Sequence, residues 1–302
     1  MAEKDQGIEW LMAGDPAIRW QVLRDLCGAP VDQVRVERLR VGQKGWGAAL
    51  LDLQGEGGQW GAPDDDGWMT SVWALATLRE LGADPASPRV RDAIGKFVSL
   101  VRWWQLGDEP FFEGETEACI NGRILGAGAW FGTDTDRLAA RLAGEVLRDG
   151  GWNCDAPPSV RSSFHSTICV LEGLLAYEQA RGAGGAVGAA RARGEAYLLE
   201  RGLRRRASTG KVIDPEWDRF GFPVAWHFDV LRGLDYLRAA GVAADERVAE
   251  AVEVVRDKRG ADGRWVLEAA HGKDGMPGFE AVGEPSRAVT LKAMRVLEWA
   301  DG

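Results

Sequence analysis

The chain has 302 residues, 45% hydrophobic and 27% charged, with a formal net charge of −9. That length supports a large buried core and the composition is that of a globular protein. The acidic balance, with no long basic stripe to offset it, argues against non-specific nucleic-acid binding. No apolar run reaches the roughly 18 residues of a spanning helix. The opening MAEKDQGIEWLMAGDP is acidic early and lacks the apolar core of a signal peptide. Four cysteines, Cys27, Cys119, Cys154 and Cys169, are too few to staple a chain this long, so the expected compartment is reducing and cytoplasmic.

Taken in chain order, helix-period segments come in pairs. DPAIRWQVLRDL (15–26) opens with an aspartate cap and a proline in the first turn. Charged, one-striped segments follow at 31–54, 88–104 and 136–149. Between and after them lie more apolar segments, rich in small residues, at 71–82, 117–132, 166–178, 226–241 and 286–300. A helix apolar on most sides is buried, and one with a single apolar stripe lies outside it. The basic run RGLRRR (201–206) reads as the solvated end of a helix. Alternating, β-branched segments are scarce, so few strands are expected.

The apolar segments recur about every 47 residues in the first half and about every 61 in the second, an internal repeat of helical hairpins. About six inner helices ringed by outer ones make an α/α barrel, with an open solenoid as the competing geometry. The single apolar layer between two helix rings favours closure. Many of the fourteen tryptophans fall in glycine-rich turns, as in GGQWG (57–61), GGWNC (150–154) and GRWVL (263–267), where an indole can pin a loop between neighbouring elements.

GWGAALLDLQGEGGQWG (45–61) is similar to the repeat of squalene cyclases and protein prenyltransferase β subunits, with LRDGGWNCD (147–155) and DGRW (262–265) as degenerate copies. The resemblance implies an all-α fold, an α/α toroid spanning residues 1–302 as a single domain. In prenyltransferase β subunits one inner helix opens with Asp-x-Cys and the next with a histidine segment, and these residues bind zinc. The matching positions here are Glu117 and Cys119 in ETEACINGR, and His165 in SFHSTICVLEGL. The resemblance therefore implies a zinc site of Glu117, Cys119 and His165. Cys154, in the turn above, adds a fourth ligand or replaces Glu117.

The prenyltransferases hold a diphosphate with Arg and Lys just before Asp-x-Cys, whereas GDEPFFEGET (107–116) is acidic. No segment resembling the α subunit is evident in this chain. PDDDGWMTS (63–71) carries Asp64, Asp65 and Asp66 without the Asp-x-Asp-Asp spacing of the cyclases, and reads first as a helix cap.

Further candidates stand at the openings of inner helices. His227 and Asp229 fit acid–base work, or a packed histidine and a helix cap. Arg287 fits an anionic substrate, or pairing with a carboxylate such as Glu284. His271 reads as a loop residue. Trp68, Phe164 and Trp226 are candidate substrate contacts, in a cavity suited to an apolar or cationic guest.

The expected function is that of a zinc-dependent enzyme. A metal-activated thiolate or hydroxide would act on a small apolar molecule of isoprenoid type, or on a peptide thiol. Two alternatives stay open: a metal-free cyclase-like enzyme using an acid such as Asp229 or Asp65, and a non-catalytic helical-repeat scaffold.

Overall fold

A computed structural model describes residues 2–61, 67–182, 184–272 and 276–302. Asp64, Asp65 and Asp66 lie outside the described residues. The fold is all-α. The helices are α1 (Ala2–Met12), α2 (Pro16–Asp25), α3 (Val31–Leu39), α4 (Trp46–Asp52), α5 (Gly67–Leu81), α6 (Pro88–Leu100), α7 (Ala118–Phe131), α8 (Asp136–Gly144), α9 (Phe164–Arg181), α10 (Gly185–Leu199), α11 (Val230–Ala239), α12 (Ala249–Asp257) and α13 (Arg287–Asp301). The named strands, β1 (Arg102–Trp103) and β2 (Glu109–Pro110), form one short antiparallel ladder. Among the described residues no helix is long and apolar enough to cross a membrane.

The chain divides into two compact units. One comprises Met1–Ala48, Leu198–Gly272 and Pro277–Gly302; the other comprises Ala49–Tyr197 and Lys273–Met276.

In the 49–197 unit, α7 lies between α5 and α9, and α8 packs across α7 and α9. Residues Ala118–Ala129 of α7 are buried without a break, as its apolar composition requires. The α7–α9 seam is held by glycine: a Cβ on Gly122 would lie 2.6 Å from the Val170 amide nitrogen, and one on Gly173 would collide with the Gly122 carbonyl. The outer helices bury one stripe each, Val90, Ile94 and Phe97 on α6 and Leu138, Ala139 and Leu142 on α8.

In the other unit, α13 lies between α11 and α2, while α12 packs across α11 and α13, and α1 and α3 pack on α2. Asp15 caps α2 as expected, accepting from the Ala17 amide at 2.8 Å, and its other oxygen accepts from the Trp46 amide at 2.8 Å. A buried ion pair of Arg295 with Asp235 joins α13 to α11, and Arg295 also donates to Asp25 at 3.2 Å and Gln21 at 3.0 Å on α2.

The tryptophan turns repeat one local structure. Trp60, Trp152 and Trp265 are fully buried. Each indole nitrogen donates to a carbonyl ten residues back at the end of an outer helix: Leu50 at 2.7 Å, Leu142 at 2.8 Å and Val255 at 2.7 Å. Each tryptophan amide donates to a hydroxyl in the first turns of the following inner helix, Ser71 at 3.0 Å, Thr167 at 3.1 Å and Thr290 at 3.0 Å. Two residues before each indole stands a glycine with positive φ: Gly58, Gly150 and Gly263. The first turn alone carries a glutamine clamp, Gln54, which donates to Gly58 O and to Ala93 O on α6.

Two segments depart from the periodicity. The 31–54 segment is broken: α3 ends in a 3-10 turn and Gly45, at φ 74°, separates it from α4. The segment expected to be helical from 226 starts at Val230, because Ala225 takes φ 46° and Asp229 is the cap.

Candidate metal and thiol site

The site in the 49–197 unit forms where a turn meets the opening of α7. Trp152 fixes its turn, and Cys154, two residues on, is carried to the first turn of α7. There its sulfur accepts the Cys119 amide at 3.2 Å, one of the helix N–H groups that lacks a partner within the helix. The Ser166 hydroxyl on α9 donates to the same sulfur at 3.2 Å, and the Cys154 amide donates back to Ser166 Oγ at 3.2 Å. The Cys119 thiol lies 3.7 Å from Glu117 Oε2. One donor atom from each of Glu117, Cys119 and Cys154 lies within 4.8 Å of the others.

The loop before α7 is tied down from both sides. Asn121, fully buried, accepts the Glu115 amide at 2.7 Å and donates to the Glu115 carbonyl at 3.0 Å, and Arg141 adds a bond to that carbonyl at 2.6 Å. The Glu115 carboxylate in turn accepts the Glu117 amide at 2.5 Å. Glu117 is thereby held at the N-cap of α7 with its side chain exposed.

The two thiols differ in charge preference. The Cys119 thiol pointed at Cys154 does most to hold the Cys154 thiol below the ordinary range. Burial opposes this, and the Ser166 hydroxyl and Cys119 amide reinforce it. Cys119 is pushed up, first by that same hydrogen bond and then by burial. Of the two thiols, Cys154, at a helix N-terminus and among three donors, is therefore the one that gives up its proton more readily.

This donor set is of the kind that holds a metal ion. Ligand atoms around a tetrahedral zinc with sulfur and oxygen ligands stand roughly 3.5–4 Å apart, and two thiols with a carboxylate are ordinary zinc donors. His165 is the second residue of α9 and half-buried, and it is not among the donors gathered within 4.8 Å. Its neighbour Ser166 faces Cys154 instead. Phe164, in the same turn, is buried against Tyr197 with ring centroids 5.2 Å apart. Trp68 on α5 packs edge-on against Trp103 at 5.3 Å.

The remaining candidates lie in the other unit. Asp229 is buried as the N-cap of α11, accepting the Arg232 amide at 2.7 Å and the Gly221 amide at 3.3 Å. Burial pushes its carboxyl up to about 6, against the pull of those amides and of Lys292 and Arg232. His227 stacks between Trp226 and His271, with centroids 3.8 and 3.6 Å away. Burial and the charges of Arg219 and Arg232 lower the His271 pKa, so its ring is neutral at neutral pH. Trp226 is 40% exposed. Arg287 opens α13 with its guanidinium 4.3 Å from the Trp10 ring centroid and its Nε donating to the Trp10 carbonyl at 3.1 Å.

Sequence reasoning missed two features of these regions, the Ser166 hydroxyl on Cys154 and the His271 ring on His227. Ser166 directly precedes Thr167, but the clamping hydroxyl lies 11, 15 and 25 residues after its tryptophan in the three turns, so the sequence carries no fixed register to find it by. His271 sits in an irregular loop that offers no register either.

No family model matches the chain, and no curated protein matches it. Solved structures similar to it include a protein from Actinoplanes, 15% identical, covering 100% of this chain and 99% of that one with a TM-score of 0.48. Another is the apo form of the type II terpene cyclase MstE from Scytonema, 14% identical, covering 99% and 97% of the two chains with a TM-score of 0.46.

Proposed function

We propose that the protein is a zinc-dependent enzyme whose metal is held by Glu117, Cys119 and Cys154, acting on an apolar substrate of isoprenoid type or on a peptide thiol. The observation that carries this reading is the convergence of two thiols and a carboxylate within 4.8 Å at one helix opening. Three protein ligands leave the fourth zinc position for a reacting group, with His165 as the competitor for it. A zinc ion there would supply a Lewis acid that lowers the pKa of a nucleophile. The chain's own residues do the positioning. The Cys119 amide and the Ser166 hydroxyl orient the Cys154 sulfur, and the Glu115 carboxylate fixes the backbone of Glu117. The resemblance of the tryptophan turns to those of squalene cyclases and prenyltransferase β subunits supports the substrate class and a toroidal single domain.

Cobalt(II) tests the site directly. Loaded into chelator-treated protein, it should give a near-ultraviolet thiolate-to-cobalt charge-transfer band that weakens in Cys119→Ala and again in Cys154→Ala. A spectrum without that band, or one unchanged in both variants, refutes the site.

A second reading draws on Asp229, whose raised pKa favours a held proton in an acid-initiated cyclisation. It ranks below the first because both Asp229 oxygens already accept backbone amides. It predicts turnover of a polyene that survives chelation and is lost in Asp229→Asn.

A further inference from the structure

We propose that Cys119 and Cys154 form a redox site: an oxidant of the peroxide class joins them in an intramolecular disulfide, and a thiol reductant reopens it. The inference goes beyond the metal reading and stands on the geometry of the two sulfurs alone.

The sulfurs lie within 4.8 Å of each other, and Cys154 Sγ is 3.2 Å from the Cys119 backbone nitrogen. Given the N–Cα bond length, that sulfur lies at most about 4.7 Å from the Cys119 Cα. Disulfides bridge Cβ atoms roughly 3.5–4.5 Å apart, so side-chain rotation with a small shift of one backbone closes the bond. The backbone able to shift is that of Cys154, in the irregular turn before α9, whereas Cys119 is fixed in the first turn of α7.

Access orders the two steps. Cys154 is half-buried and Cys119 is 8% exposed. A peroxide meets Cys154 first: the sulfur attacks one peroxide oxygen, the O–O bond breaks, and Cys154 becomes a sulfenic acid as one water leaves. The Cys119 sulfur then attacks the Cys154 sulfur, the S–O bond breaks, and the hydroxyl leaves as a second water with the Cys119 proton. Two electrons have passed from the two sulfurs to the peroxide, and each thiol proton has ended in water. A thiol reductant reverses the change by thiol–disulfide exchange. The disulfide ties up both sulfurs, leaving Glu117 alone of the three gathered donors.

The test uses the purified full chain with chelator present. It is treated with one equivalent of hydrogen peroxide, alkylated while denatured, and digested without reduction. The expected result is loss of two of the four thiols, a peptide linking Cys119 to Cys154, and recovery of both thiols with dithiothreitol. In Cys119→Ser the oxidation should stop at a Cys154 sulfenic acid that dimedone traps. The proposal is overturned if Cys154 passes to sulfinic acid while Cys119 stays alkylatable. It is equally overturned if the lost thiols are accounted for by links to Cys27 or Cys169.

Discussion

The turns at Trp152 and Trp265 are built alike and deliver different chemistry. Both clamp an outer helix through the indole and an inner helix through a threonine hydroxyl. Beyond Trp152 the chain runs out as Asn153-Cys154 and places a sulfur on the amide of Cys119. Beyond Trp265 the equivalent position is Leu267, which is fully buried. The opening of α13, the helix that follows this turn, is closed by a carboxylate: Glu280 accepts the Arg287 amide at 2.7 Å and the Ala288 amide at 3.3 Å. A helix N-terminus attracts negative charge in either place. At α13 a residue of the loop satisfies it, and at α7 a thiol does so with donor capacity to spare. The shared clamp is scaffold, and the turns differ beyond it: Cys154 reaches back to the opening of the preceding inner helix α7, whereas Leu267 is buried.

Removing an indole tests the scaffold half of the contrast and should have the largest effect. Trp152→Ala and Trp265→Ala should each cost about 3–5 kcal/mol in denaturant unfolding, from the lost burial and the orphaned helix carbonyl. Costs differing by more than about 2 kcal/mol would show that the turns are not equivalent scaffold.

Asp229 sharpens the contrast between a buried acid and a buried thiol. Its folded pKa of about 6 stands above the ordinary 3.8. The native state therefore binds the extra proton between these values, and stability falls as pH rises through that window. The shift corresponds to about 3 kcal/mol. Comparing unfolding of the wild type and Asp229→Asn from pH 4 to 7 should show this part of the slope only in the wild type. Parallel profiles would contradict it.

Thr167→Val and Thr290→Val should each cost about 1–3 kcal/mol by leaving a buried tryptophan amide without its acceptor. Thermal unfolding of both measures this, and a cost at one site only would again separate the turns. The smallest effect is expected at the helix openings. Glu280→Gln should cost about 1 kcal/mol of stability through its weakened hold on the α13 amides. Cys154→Ala should cost a similar amount while removing metal binding. A Cys154→Ala variant that kept its metal would break the contrast.

The inner helices were legible because their composition changes over whole turns. The segments 117–132 and 286–300 became α7 and α13 within a residue or two. Helix α10 was not singled out, since GAVGAARARG offers small residues and no stripe for a period to reveal. The late start of α11 depends on Ala225 and the Asp229 cap, which are local backbone choices that the apolar pattern does not encode. Within the candidate site, Glu117 and Cys119 were legible only through the resemblance of ETEACINGR to the Asp-x-Cys opening of prenyltransferase β subunits. The Cys154 contact joins residues 35 apart and depends on the Trp152 turn, so the sequence offered Cys154 only as one alternative ligand. Which side chains of α9 face that sulfur is set by helix rotation, and a two-residue motif does not specify it.

The most direct measurement is the metal content of the purified, untagged protein prepared without chelators, beside Cys119→Ala and Cys154→Ala. About one zinc per chain in the wild type, lost in both variants, is the expected result. A wild-type protein that binds no zinc, even when zinc is supplied, would contradict the assignment and leave the two thiols as a redox pair alone.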